Sequence, residues 1–233
     1  PWTKPANDIF DGIAFYAGKT MSNGTERYLA GWCPTRIGDG DEDQWGGSLV
    51  CHRMLFNADG TIDLKLPDGI DKKFTTLKKT VLIDKSGKAV KKEDSYVLSD
   101  VASVSFPRLD KTCKIEATVK ATGNDDAFGF AFGACDDKTE VYSIRFDLKN
   151  KQLVMSKDDL TRGTTPTQTN VALTVPADKL FKVKIVAEKS VCVMYVNDKI
   201  AFSNRIDKMP KNPWAIFTDK GTEISFSDIK VYE

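Results

Sequence analysis

Apolar and polar positions alternate with a period of two along most of this chain, and the 3.6-residue spacing of an amphipathic helix is nearly absent. Four alternating runs come first, at 13–21 (IAFYAGKTM), 26–33 (ERYLAGWC), 47–56 (GSLVCHRMLF) and 61–66 (TIDLKL). Asn23-Gly24 and Asp59-Gly60 stand between runs as hairpin turns, because both dipeptides accept the positive φ of a tight reversal. Four antiparallel strands in succession predict one propeller blade or half of a small sandwich. Pro67-Asp68-Gly69 then breaks the pattern. A second series starts near residue 95. Ile115, Ala117, Val119 and Ala121 alternate with polar neighbours, Phe128, Phe130 and Phe132 line the next strand, and Tyr142, Ile144, Phe146 and Leu148 the one after. Leu153 to Met155, Phe181 to Ile185, Val191 to Tyr195 and Ile224 to Val231 continue it, so one face of each strand is buried and the other wet. The predicted class is all-β: a four-stranded propeller-blade-like sheet over 1–67, a lysine-rich linker or hairpin over 68–94, and an antiparallel β-sandwich over 95–233.

Composition narrows the partners without naming one. A chain of 233 residues, 41% hydrophobic and 29% charged with a net charge of +1, has enough apolar material for a sizeable core. It has no global attraction to nucleic acid, and no run of about 18 apolar residues offers a membrane span. Lysines at 72, 73, 78, 79, 85, 88, 91 and 92 crowd one stretch that also holds Asp71, Asp84, Glu93 and Asp94. Without interleaved aromatics for base stacking, that stretch reads as a solvated surface before an anion-binding patch. The N-terminal Pro1-Trp2-Thr3-Lys4-Pro5 has neither the charged nor the apolar region of a signal peptide, as in a processed or truncated product.

Candidate chemistry is sparse. The five cysteines, Cys33, Cys51, Cys113, Cys135 and Cys192, lack the paired spacing of a zinc site, and in apolar runs they read as buried thiols. The acidic loop Gly38 to Asp43 has carboxylates at alternate positions. Gln44 stands where an EF-hand needs glycine and Val50 where it needs glutamate, so no metal is expected, nor any other cofactor. His52 is the one histidine and has no serine elbow beside it, which favours a structural role. Trp2, Trp32, Trp45, Trp214, Tyr16 and Tyr28 remain, and aromatic faces are what sugars stack on when the rings are not simply core.

The order of residues over 11–67 adds a resemblance. Asp11, Phe15-Tyr16-Ala17, Lys19-Thr20, then Arg27-Tyr28-Leu29 with Gly31-Trp32, then Trp45-Gly46, His52-Arg53, Asp59-Gly60-Thr61 and Leu66-Pro67 resemble the last propeller blade of glycoside hydrolase family 32, the invertases, fructanases and levanases. Phe181 to Ile185, Ser190, Val196-Asn197-Asp198 and Asn204-Arg205-Ile206 are similar to the end of that family's C-terminal sandwich, with Val193 where a glutamate is usual. The resemblance implies a concanavalin-like sandwich, a carbohydrate partner of the fructoside or fructan class, a preceding propeller portion, and export to the cell surface, periplasm or medium.

It also implies what this chain lacks. Family enzymes are retaining glycosidases whose two carboxylates lie in N-D-P and E-C motifs, helped by R-D-P, and none of the three occurs here. Asn7-Asp8 is followed by Ile9. No catalytic residue is therefore expected within the chain. By the same resemblance Asp11 would hydrogen-bond sugar hydroxyls, Tyr16 would shape a pocket floor, and Trp32 would form an apolar wall. The plant enzymes' aspartate–lysine pairing does not carry over, because Ala14 stands at the lysine position. Three readings follow: the C-terminal part of a family 32 glycosidase, a self-contained carbohydrate-binding protein without catalysis, or a structural β-protein.

Overall fold

The computed structural model describes residues 4, 8–36, 43–109, 112–133, 141–158, 167–206, 213–220 and 222–233. Four strands come first: β1 (Tyr16–Ser22), β2 (Arg27–Arg36), β3 (Asp43–Phe56) and β4 (Ile62–Lys65), paired antiparallel in chain order as one sheet. The turns form where asparagine and aspartate can fold onto their own backbone. Asn23 Oδ1 accepts the backbone N–H groups of Thr25 and Glu26 at 3.1 and 2.8 Å, and Asp59 Oδ1 accepts that of Thr61 at 2.9 Å. Gly24 and Gly60 follow with φ of 99° and 85°. Most of the acidic loop around Asp39 to Asp43 falls outside the described residues, as do Trp2 and Cys135.

A short helix α1 (Asp68–Asp71) starts at Pro67, whose own ring presets the entry geometry, and is followed by β5 (Leu77–Lys78) and β6 (Asp84–Lys92). The lysines of β6 lie on an exposed strand that pairs along its length with β7 (Ser95–Phe106). An edge strand studded with Lys85, Lys88, Lys91 and Lys92 is poorly suited to pairing with another molecule. The remaining strands are β8 (Thr112–Ala121), β9 (Ala127–Phe132), β10 (Val141–Asp147), β11 (Gln152–Asp158), β12 (Thr167–Ala172), β13 (Leu180–Glu188), β14 (Val191–Val196), β15 (Ile200–Arg205), β16 (Trp214–Lys220) and β17 (Ile224–Tyr232). Strands β12, β15 and β16 fall outside the runs that alternation announces. Thr167–Ala172 reads TQTNVA, too polar to stand out, and the other two are held by tertiary pairing.

The second sheet runs β12-β11-β10-β9-β16 on one side and β17-β8-β13-β14-β15 on the other, with β7 between them. Ala102 to Phe106 of β7 pair with β16, Ser95 to Leu98 pair with β17, and Asp100 at φ 52° marks the break. One strand that serves both layers folds the sheet into a sandwich. Facing side chains close the core: the Phe128 ring lies 5.0 Å from Phe146, 6.0 Å from Phe181 across the layers and 6.2 Å from Phe226. Trp214 stacks on Phe106 at 4.5 Å and is a core residue.

The four-stranded sheet docks on the outer face of this sandwich. Leu29, Cys33, Val50, Met54, Leu64 and Leu66 project from the small sheet onto Val191, Val193, Tyr195 and Ala201 of the sandwich. Cys192, Met194 and Val196 point the other way, into the sandwich core. Strand β14 is thus covered on both sides, which is why its sequence, VCVMYV, shows no polar position. Cys33, Cys113 and Cys192 are buried, and Cys51 is half-buried. Burial pushes Cys33 up to about 12, so it packs as a small hydrophobe.

Candidate functional site

Strand β2 divides its side chains between two worlds. Leu29 and Cys33 face the sandwich, while Tyr28, Ala30 and Trp32 fall on the opposite, outward face by alternation. Trp32 is paired with Tyr16 on β1 and with Leu49 on β3, so three large side chains form a row across neighbouring strands. Tyr16 is 49% exposed and Leu49 79% exposed, and the Tyr16 ring meets Trp32 edge-on at 5.2 Å and 82°. Tyr16 and Trp32, both expected from the sequence, come together here.

Their meeting depends on an irregularity. From Ser22↔Arg27 to Lys19↔Ala30 the ladder is regular, and continued unchanged it would set Tyr16 opposite Cys33, an inward position. A bulge between Tyr16 and Lys19 shifts the register by one, so Tyr16 pairs with Trp32 and swings outward. Ala17 carries the strain of that bulge at φ 54°. The same shift sends Phe15 inward, where it joins the apolar contact with the sandwich. Gly31 leaves room for it, because a Cβ there would lie 2.5 Å from Phe15 Cζ and 2.8 Å from the Tyr16 carbonyl oxygen.

Further along the outward face lies a polar group of residues. Tyr28 stands opposite Arg53 and donates to Glu26, whose carboxylate raises the phenol above its ordinary range. Arg53 bonds Asp68 at 3.0 Å and pairs with Glu26, and Lys65 reaches Asp68 at 2.7 Å. Those carboxylates are tied to cations. A separate cleft of about 450 Å³ opens between β3 and the sandwich, lined by Leu66, Ile70, Val191 and Val193 with Glu188 and Lys189. Its walls are largely aliphatic and offer few of the flat aromatic faces that sugars stack on.

Asp11, expected beside Tyr16 and Trp32, is placed on the inward side, 7% exposed. Its Oδ1 accepts the backbone N–H groups of Gly12 and Ser203, both at 2.6 Å, and its Oδ2 accepts the Ser203 hydroxyl at 2.5 Å. His52 Nε2 lies 2.9 Å from the same Oδ2, and His52 Nδ1 lies 3.0 Å from the Tyr195 hydroxyl. With Nε2–H donating to the carboxylate, the Tyr195 O–H donates to Nδ1, and each group in the chain is satisfied. Burial pushes the Tyr195 phenol well above its ordinary range, with Asp11 adding to the effect, so it stays a donor. Arg205 makes a second clasp, donating to the Cys33 carbonyl at 2.8 Å, to Ser190 Oγ at 2.6 Å and to the Pro34 carbonyl.

Serine, aspartate and histidine in contact invite comparison with a hydrolytic triad, and the order rules it out. A triad places histidine between nucleophile and carboxylate, whereas here Asp11 sits between Ser203 and His52. His52 is fully buried, so no substrate reaches it. Ser203 and Tyr195 were not legible as partners, since Ser203 lies 192 residues from Asp11 and Tyr195 lies 143 residues from His52 in the chain. Among the described residues, no group of three or more histidine, cysteine, aspartate or glutamate side chains is arranged to hold a metal ion.

A family model described as GH32, BT1760-like, C-terminal domain matches residues 60–231. The chain belongs to this family. Among solved structures, the fructosyltransferase of A. japonicus superposes with a TM-score of 0.64 at 13% identity, covering 89% of this chain and 40% of that one. The exo-inulinase of Aspergillus awamori gives 0.65 at 16% identity, covering 96% and 44%. A carbohydrate binding module, CBM66, from Bacillus subtilis gives 0.53 at 11% identity, covering 69% of this chain and 99% of its own. At such identities the likeness is one of fold. The family 32 chain described here spans about two fifths of the length of the two enzymes. No curated protein matches it by sequence.

Proposed function

We propose that this chain is the C-terminal part of a fructoside-acting glycosidase of family 32, contributing saccharide-contacting surface but neither the acid nor the nucleophile. The observation that carries this is the outward row of exposed Tyr16, half-buried Trp32 and exposed Leu49, on a sheet whose other face is clasped to the sandwich. Family membership, and the fructosyltransferase and exo-inulinase likeness over most of the chain, support the substrate class. Tyr16 and Trp32 then contact the sugar, edge and face, while the sandwich holds their sheet in place. A preceding propeller portion would supply the two carboxylates and cover β1, the outermost strand of its sheet among the described residues, all seven of whose residues are exposed. Asp11, with both carboxylate oxygens engaged, holds the sheet and leaves sugar contact to the aromatic pair.

Two measurements on the 233-residue chain test this. Incubation with sucrose, inulin and levan should release no fructose above background, and turnover overturns the assignment of catalysis elsewhere. Titration with levan- and inulin-derived oligosaccharides should quench tryptophan fluorescence, and Trp32→Ala should weaken binding at least tenfold, about 1.4 kcal/mol. A second reading, a non-catalytic carbohydrate-binding protein, is favoured by the match to nearly all of the B. subtilis module. It predicts binding that survives both Trp32→Ala and Tyr16→Ala, because the site would then lie on the sandwich.

A further inference from the structure

The buried clasp and the outward aromatic pair are physically continuous. Ser203 on β15 holds the Asp11 carboxylate from the sandwich side through its backbone N–H and its hydroxyl. Asp11 and Tyr195 hold His52 from its two ring nitrogens. The His52 ring lies 5.1 Å from the Phe15 ring at an interplanar angle of 44°. Phe15 is in turn wedged against the Gly31 backbone, next to the Tyr16 carbonyl. One peptide bond further on, Tyr16 emerges on the outward face and meets Trp32. Every link is a direct contact, and the bulge at Ala17 is the point where the chain passes from the inner face to the outer one.

We propose that Asp11, His52 and Phe15 are positioning residues, through which the sandwich sets the orientation of the Tyr16–Trp32 pair. This positioning role rests on the reading of that pair as the sugar-contacting surface. Its physical reason is that an αL alanine in a bulge is not the resting state of a free strand; it persists where surrounding structure over-determines it. Phe15 is the residue that over-determines it here, because an inward Phe15 and an outward Tyr16 require the shifted register together. His52 fixes Phe15 because its own ring cannot turn without leaving Asp11 and Tyr195 unpaired in a dry interface. Were the network only a fastening between two sheets, the ring beneath Phe15 could be lost with no consequence for the pair beyond general destabilisation.

Near-ultraviolet circular dichroism of the full chain tests this, reading the band that disappears in Trp32→Phe as the signature of the pair. Tyr195→Phe, which removes one hydroxyl and keeps the ring, and Ser203→Ala should each reduce that band by half or more. Gly31→Ala, which drives a methyl against Phe15, should abolish it. His52→Gln, which retains a donor toward Asp11, should keep more of the band than His52→Ala. Asp71→Asn, in an ion cluster with Lys114 and Lys184 on the sandwich, serves as a variant of lowered melting temperature that leaves the band unchanged. A band that stays whole in Tyr195→Phe and Ser203→Ala while their melting temperatures fall overturns the proposal and leaves the network a fastening alone. The spectrum needs no saccharide. Absence of oligosaccharide binding by the wild-type chain therefore counts against the binding reading, while loss or retention of the band decides the positioning claim.

Discussion

Strand β14 buries all six of its side chains and strand β1 exposes all seven. The first is VCVMYV, squeezed between the sandwich core and the docked sheet; the second is YAGKTMS, the last strand of its sheet among the described residues. The difference shows that the two halves of the molecule are stabilised unequally. The sandwich encloses its own core from two layers, whereas the small sheet has one covered face and takes that cover from the sandwich. An isolated four-stranded sheet of this size would leave Leu29, Val50, Met54, Leu64 and Leu66 in water, and at about 25 cal/mol per Å² their burial supplies much of what holds it. The asymmetry also explains the polar clasps. Asp11 and Arg205 fix the angle at which the sheet docks, which apolar contact alone leaves loosely specified.

The inequality can be broken most forcefully at Asp11. Asp11→Ala strands the His52 ring and the Ser203 N–H in a dry interface, and should cost about 4 kcal/mol. Hydrogen exchange should then show β2 and β3 opening while β9 and β13 stay protected; simultaneous loss in all four would mean a single cooperative unit. Leu64→Ala removes an apolar side chain that is 1% exposed beneath the sheet and should cost about 3 kcal/mol in urea unfolding, again with the small sheet going first.

Asp71→Asn sharpens the comparison from the other side, with an expected loss of about 2 kcal/mol. Asp71 bonds Lys184 at 2.8 Å and also Lys114, whose ammonium lies 4.7 Å from the Tyr232 ring centre. Burial alone would raise the Asp71 carboxyl, but the two lysines more than offset it and hold it below its ordinary value of 3.8. Its contribution is therefore present above the ordinary carboxylate range and disappears as pH falls through the lowered value. Burial lowers Lys114 and Lys184, but their bonds to carboxylates outweigh it and leave both raised, so that contribution is lost only as pH climbs past the lysine range. The melting-temperature gap between wild type and Asp71→Asn should accordingly be constant near neutral pH and shrink below about pH 4. A gap that persists in acid would show the loss to be one of packing instead of charge.

The four short runs, the Asn23-Gly24 and Asp59-Gly60 turns and the apolar strands of the sandwich were legible because period-two alternation is a local signal, strongest where one face is covered and the other wet. Strand β14 was legible as apolar but not as doubly buried. Strand β16 was hidden among prolines and polar residues, and the lysine-rich stretch was readable as a hairpin arm without any sign of which strand it would join. Within the candidate site, the aromatics at Tyr16 and Trp32 were visible as residue types in a recognisable order. The inward turn of Asp11 was not, since its partners His52, Ser203 and Tyr195 come from strands far apart in the chain.

By itself, then, the sequence determined what depends on neighbours in the chain: strand period, turn positions, the all-β class and the ordered motif set that marks family 32. Tertiary structure decided what depends on distant pairing. It chose the bulged register that turns Tyr16 outward and Phe15 inward, and it surrounded Asp11 with donors from the sandwich. The physical reason is that a register shift of one residue exchanges the two faces of a strand at little local cost, so only the burial available on each side selects between them.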